Sequence, residues 1–215
     1  KKTEKEIIQL SIKNTQKLID LGCKLVVVAC NTATTNAIEV LRKKFNLPIV
    51  GIEPSIKPAM LGTKTNNIGV LATEKTLSSN LFKKTSNTFS NGVNIHEQIG
   101  YDLVNIIEEN GINEKLLNLK LKGYIQPMLK YKIDHLVLGC THYYFLKDIL
   151  RTILPSEVII LDSSKAVIKR VQKLLEIYDL KTNTSKANNM FYFTGNGLVI
   201  SDFLTNEDRI SKITI

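Results

Sequence analysis

Leu25-Val26-Val27-Val28-Ala29-Cys30-Asn31-Thr32-Ala33 is a short apolar run that ends in a cysteine and passes at once into small amide and hydroxyl side chains. The pattern returns as His135-Leu136-Val137-Leu138-Gly139-Cys140-Thr141-His142. Parallel strands covered on both faces require continuous apolar runs of this kind, rich in valine and leucine. Each run opens into helical spacing, through Ala37, Ile38, Leu41 and Phe45 after the first and through Phe145, Leu146, Ile149 and Leu150 after the second. Each strand therefore delivers a thiol to the rim of its sheet. Two such thiols, one in each half, are expected to face a shared cleft.

The rest of the chain fits around these two units. Upstream, Thr3-Glu4-Lys5-Glu6 is a capping box, followed by Ile7, Ile8, Leu10, Ile12, Leu18 and Ile19 at helical spacing and closed by Gly22. Further strands are expected at 47–52, 67–71, 93–97, 158–161 and 191–194, with 53–58 as a crossing between halves. Helices are expected from about Leu77, around Leu103–Ile107, from Leu116 to Tyr131 with interruptions at Gly123 and Pro127, and from Val167 to Ile177. Residues 181–189 read as a loop and Gly195-Asn196-Gly197 as a turn leading to a short helix before the end. Alternation of strand and helix indicates an α/β fold with mostly parallel sheets and sites at the carboxyl ends of strands.

With 215 residues, 43% of them hydrophobic, the chain can bury a substantial core. Its three cysteines, Cys23, Cys30 and Cys140, are odd in number and widely spaced, which gives neither a disulfide framework nor a zinc motif. They read as free thiols in a reducing, cytoplasmic setting. The apolar runs are too short to span a bilayer, so no membrane partner is expected. The net charge of +9 comes from lysines scattered along the whole chain. A nucleic-acid face needs that charge gathered in one patch, so no nucleic-acid partner is expected, and the basic surface suits attraction of a small dianion.

Two thiols on opposite sides of one carbon suit proton transfer, one acting as thiolate base and the other as thiol acid. An ordinary cysteine, with a pKa of about 8.5, is only about 3% thiolate at neutral pH. A helix N-terminus behind Cys30 and a neighbour such as His142 favour the thiolate. Cys23 reads as a packing residue, and His96 and His135 as structural or surface residues. A Cys140–His142 nucleophile pair is the runner-up chemistry, because residues two apart at a strand end seldom meet in nucleophile-base geometry. A metal on Cys140 and His142 lacks further ligands, so no metal is expected.

The segments Val28-Ala29-Cys30-Asn31-Thr32-Ala33, Pro48-Ile49-Val50-Gly51-Ile52-Glu53-Pro54, Ile68-Gly69-Val70-Leu71-Ala72-Thr73 and Leu138-Gly139-Cys140-Thr141-His142-Tyr143 resemble bacterial glutamate racemases in order and spacing. The resemblance extends over essentially the whole chain. It implies two pseudo-twofold-related α/β domains, residues 1–53 with 164–215 and residues 54–163, with the active site in the cleft between them. It further implies cofactor-independent interconversion of L- and D-glutamate for peptidoglycan synthesis, with L-/D-glutamate as the small-molecule partner, and homodimers are common in the family. By the resemblance Cys30 and Cys140 are the acid/base pair and His142 assists Cys140. Asn31, Thr32, Thr73, Thr76, Thr141 and His142 bind substrate. Glu108 matches the family's assisting glutamate, with Glu109 as the competing carboxylate.

Relatives begin with an Asp-Ser-Gly strand and a Pro-Tyr-Gly segment ahead of the helix at the front of this sequence, and neither motif occurs here. Their aspartate is the usual partner of the first cysteine. Weak or absent activity of this chain alone is therefore expected. Aspartate racemase, another amino-acid racemase of the superfamily, and a non-catalytic ligand- or partner-binding remnant are the alternative readings.

Overall fold

A computed structural model describes residues 2–89, 92–110, 114–182, 189–194 and 209–213. The helix α1 (Glu4–Asp20) leads to β1 (Val26–Val28), α2 (Asn31–Lys44), β2 (Ile49–Gly51) and α3 (Ile56–Gly62). Then follow β3 (Asn67–Ala72), α4 (Glu74–Leu77), α5 (Asn80–Phe89), β4 (Asn94–Ile99), α6 (Leu103–Asn110) and α7 (Glu114–Leu129). Next come β5 (His135–Gly139), a 3-10 helix (Thr141–Leu146), α8 (Lys147–Ile153), β6 (Ile159–Leu161), α9 (Ser164–Ile177), β7 (Met190–Phe193) and β8 (Arg209–Lys212).

The α/β architecture with parallel sheets is as read from the sequence. The central sheet runs β4-β3-β5-β6, β1 pairs with β2, β7 pairs with β8, and each pair is parallel. Successive strand residues point to opposite faces, and the central strands bury both. Leu71, Leu136 and Leu138 join Leu103, Ile107, Leu117, Leu121, Ile125 and Leu150, from α6, α7 and α8. Ile68, Val70, Ala72 and Val137 face Ile56, Met60, Leu77 and Phe82, from α3, α4 and α5. On the first face Gly69 allows close approach: a Cβ there would meet Ile133 Cδ1 at 2.8 Å and Met128 Sδ at 3.0 Å.

The smaller β1–β2 sheet packs on Ala37, Ile38 and Leu41 of α2. Helix α1 lies against α2 and carries the expected capping box. Ser11 and Thr15 share its buried stripe with Ile7, and Ser11 satisfies its hydroxyl by donating to the Ile7 carbonyl at 2.7 Å. Small polar side chains thus occupy positions that an apolar count passes over.

Three expectations change. The 53–58 crossing gives way to α3 from Ile56, whose buried Ile56, Ala59 and Met60 supply the apolar stripe. Helix α7 runs unbroken through Gly123 and Pro127. Both sit on its exposed side, so the backbone group that Pro127 leaves unpaired is open to water while Leu117, Leu121, Ile125 and Met128 hold the opposite face. Cys23 is exposed, not packed. Near the end of the chain β8 pairs with β7. Residues 183–188 of the expected loop, the Gly195-Asn196-Gly197 turn and the short helix expected directly after it lie outside the described residues.

Replacing Leu136, which is 0% exposed, by alanine is expected to cost about 2–5 kcal/mol in urea unfolding. Leu119→Ala on a 71% exposed side chain is expected to change stability by less than about 0.5 kcal/mol. Equal losses in the two variants would contradict this placement of the core.

Candidate active site

Chemistry-bearing side chains collect where the parallel strands end. Cys30 follows β1 and is the N-cap of α2, where its sulfur accepts from the Ala33 amide at 3.5 Å. The side chain is exposed. Next to it Asn31 is buried and donates Nδ2 to the Ile52 carbonyl at 3.3 Å. Thr34 Oγ1 donates to the Val28 carbonyl and accepts from the Ile52 amide. These bonds fix the start of α2 between the ends of β1 and β2.

Thr32 reaches across to the exit of β3. Its hydroxyl lies 2.8 Å from that of Thr73 and 3.1 Å from that of Thr76, and the latter two are 2.9 Å apart. Thr73 also caps α4, with its oxygen accepting from the Thr76 amide. Three hydroxyls therefore meet at one point, contributed by the segments after β1 and β3. Each can reorient to donate toward an anion, as hydroxyl rotors do.

At the end of β5, Cys140 is half-buried and precedes the 3-10 helix. Its sulfur lies 3.9 Å from His142 Nδ1, and His142 Nε2 lies 2.8 Å from Glu108 Oε1. Tight 3-10 winding brings together two residues that the sequence spacing alone was read as keeping apart. Burial pushes the Cys140 thiol up to about 11, and the charges of Cys30 and Glu108 push the same way, against opposing hydrogen bonds from the His142 and Tyr143 amides. Cys140 is accordingly a thiol at neutral pH, and Cys30 is near enough to influence it. Tyr143 is fully buried, and its hydroxyl donates to the Gly100 carbonyl at 3.1 Å, tying the 3-10 helix to the segment before α6 and Glu108.

A cavity of about 320 Å³ opens beside Cys140, lined by Asn31, Thr141, Tyr144, Asp162 and Ser163 among others. Two sets of expected residues thus come together: Cys140, Thr141 and Asn31 at this cavity, and Thr32, Thr73 and Thr76 in the hydroxyl cluster. Thr32 and Thr73 also line a second cavity of about 430 Å³ with Ile99 and Tyr101. Glu108 is the carboxylate that bonds His142, and the side chain of Glu109 lies outside those described. His135 is buried against Asp134, with Nδ1 and Oδ1 2.7 Å apart, and His96 stacks on Tyr131. Both are structural, as read.

Sequence reasoning passed over Asp162, Ser163, Tyr144 and Ser55. Asp162-Ser163 follows β6 as Cys140 follows β5, and position at a strand's carboxyl end was the available signal. Ser55 Oγ donates to the Asp162 carbonyl at 3.1 Å, and Ser163 Oγ donates to the Glu53 carbonyl. These bonds join chain segments more than a hundred residues apart, which no local pattern reveals. Among the described residues, no cluster of three or more His, Cys, Asp and Glu is placed to hold a metal ion, and no helix is long and apolar enough to cross a membrane.

A family model described as Asp/Glu/Hydantoin racemase matches residues 6–171. The glutamate racemase of Ralstonia pickettii (strain 12J) is 38% identical over 197 residues, covering 92% of this chain and 70% of the relative. That of Herpetosiphon aurantiacus is 38% identical over 179 residues, covering 83% and 70%. Among solved structures, Escherichia coli glutamate racemase in complex with L-glutamate and the activator UDP-MurNAc-ala superposes with a TM-score of 0.83 at 29% identity, covering 100% of this chain and 83% of that one. Francisella tularensis glutamate racemase in complex with D-glutamate gives 0.83 at 25% identity, covering 99% and 82%.

Iodoacetamide at pH 8 is expected to modify the exposed Cys23 and Cys30 before Cys140. The Cys140 rate should then rise about tenfold per pH unit as pH climbs toward its titration. Mass spectrometry of the three cysteine peptides reads both; labelling of Cys140 first at pH 8 would contradict the site's electrostatics.

Proposed function

The chain belongs to the Asp/Glu/Hydantoin racemase family, and from that premise we propose that it interconverts L- and D-glutamate without a cofactor, supplying D-glutamate for peptidoglycan. The observation that carries this reading is the pair of thiols at the ends of β1 and β5, close enough for the charge of Cys30 to bear on Cys140.

In the proposed reaction the Cα proton of glutamate passes to one thiolate while the opposite thiol delivers a proton to the other face. With Cys30 as base, Cys140 is the acid, a role suited to a buried thiol that stays protonated at neutral pH. In the reverse direction Cys140 must be the base. His142 Nδ1, 3.9 Å away, takes its proton, and Glu108, 2.8 Å from Nε2, stabilises the imidazolium that results. The hydroxyls of Thr32, Thr73 and Thr76 receive a substrate carboxylate, while Asn31 and Thr141 orient the α-substituents at the cavity. The halves formed by residues 1–53 with 164–215 and by residues 54–163 then each contribute one thiol.

Exchange of the Cα proton of L- and D-glutamate in D₂O, followed by proton NMR, tests the reading. In an enzyme complete with the relatives' Asp-Ser-Gly segment, Cys30→Ser and Cys140→Ser are each expected to lower racemisation about 10²–10⁴-fold, whereas Cys23→Ser should leave it within about twofold. Full turnover in either of the first two variants, or faster exchange of aspartate than of glutamate, would refute the proposal.

A further inference from the structure

The cavity beside Cys140 presents a problem of charge. Asp162 is the one carboxylate among the described residues lining it, and an anion in the cavity shares the wall with that group. Its charge is held by two partners: Oδ1 accepts from the Ser164 amide at 2.7 Å, and Oδ2 accepts from Lys147 Nζ. Although burial alone would raise it, the hydrogen bonds from Lys147 and Ser164 hold the carboxyl below its ordinary range, so it is ionised at neutral pH. Lys147 is the first residue of α8, directly after the 3-10 helix that Cys140 precedes, and its ammonium also stands 4.3 Å from the centre of the Tyr144 ring. Tyr144 lines the same cavity. Lysine, carboxylate and ring thus form one unit at the cavity wall.

We infer that Lys147 is a specificity-determining residue: by pairing with Asp162 it cancels the carboxylate in the wall of the cavity beside Cys140 and lets that cavity admit an anion. In a partly desolvated cleft a single uncompensated charge sets the local potential that an approaching ion meets. A neutral residue at 147 leaves Asp162 Oδ2 free to repel a carboxylate. A neutral residue at 162 leaves an ammonium that attracts one. The two substitutions therefore act in opposite directions, and together they cancel. Loss of packing alone would give no such pattern.

The inference rests on the racemase reading for its natural ligand, so the test uses a probe that does not. Iodoacetate is an anion and iodoacetamide its neutral counterpart, and both alkylate the thiolate. The ratio of their rates at Cys140 at pH 9, read by mass spectrometry on the 215-residue chain, therefore reports the cavity's potential and cancels changes in thiolate fraction. Lys147→Met is expected to lower that ratio about fivefold, Asp162→Asn to raise it, and the double variant to return within about twofold of the parent. Lys147→Arg should retain the parent value. An unchanged ratio in Lys147→Met, or shifts of the same sign in both single variants, would overturn the inference. If Lys147→Met does not fold, Asp162→Asn decides it, since a ratio that is unchanged or lower there contradicts the assignment. With glutamate as substrate, Lys147→Met should raise KM more than it lowers kcat, with KM restored in the double variant. Failure of the racemase reading would remove glutamate turnover while leaving the alkylation ratios to stand or fall by themselves.

Discussion

A parallel strand covered on both faces leaves only its ends for chemistry, and that constraint organises this molecule. Leu71, Val70, Leu136 and Val137 are committed to packing on helices above and below the central sheet. The first residues free to be polar are those just past the carboxyl ends: Thr73 after β3, Cys140 after β5, Asp162 after β6, and Cys30 after β1 in the neighbouring sheet. Because neighbouring strands run in the same direction, those ends gather at one rim, and groups distant in sequence become neighbours. The threonine cluster of Thr32, Thr73 and Thr76 is the most direct product, joining segments about forty residues apart through two short hydroxyl contacts.

Electrostatics at the rim is shaped by burial and compensation. Cys140 is half-buried beside an acidic neighbour, and both facts keep its proton on. The chain from Cys140 through His142 to Glu108 offers that proton a route without a charge stranded in the interior. Asp162 shows the other solution: a carboxylate exposed to the cavity is held by an ammonium and a helix amide. A pocket for a substrate with two carboxylates and one ammonium needs both devices, since an unpaired charge of either sign would bias which end enters.

Much of this was legible in the sequence. The two cysteine-terminated strands, the cap at Thr3, the alternation of strand and helix, and the thiols and threonines of the site follow from local pattern and from the family resemblance. What escaped was set by partners far away. Helix α3 forms at Ile56 because Ile56, Ala59 and Met60 find the face of β3 and β5, a partner surface invisible in a Pro-rich stretch. Pro127 does not break α7 because the opposite side of the helix is anchored. The Lys147–Asp162 pair and the serine contacts between Ser55, Ser163 and Glu53 arise only when β6 closes beside β5. The exposed Cys23 carries the same lesson in reverse, since its position near a strand suggested burial that the turn does not provide.

The central claim is that Cys30 and Cys140 address opposite faces of one carbon. A crystal structure of the chain with L-glutamate bound tests it most directly. The account predicts the Cα between the two sulfurs, one on each side, with a substrate carboxylate on the hydroxyls of Thr32, Thr73 and Thr76. Glutamate bound with both sulfurs on the same face of Cα, or with Cα out of contact with either thiol, would contradict it.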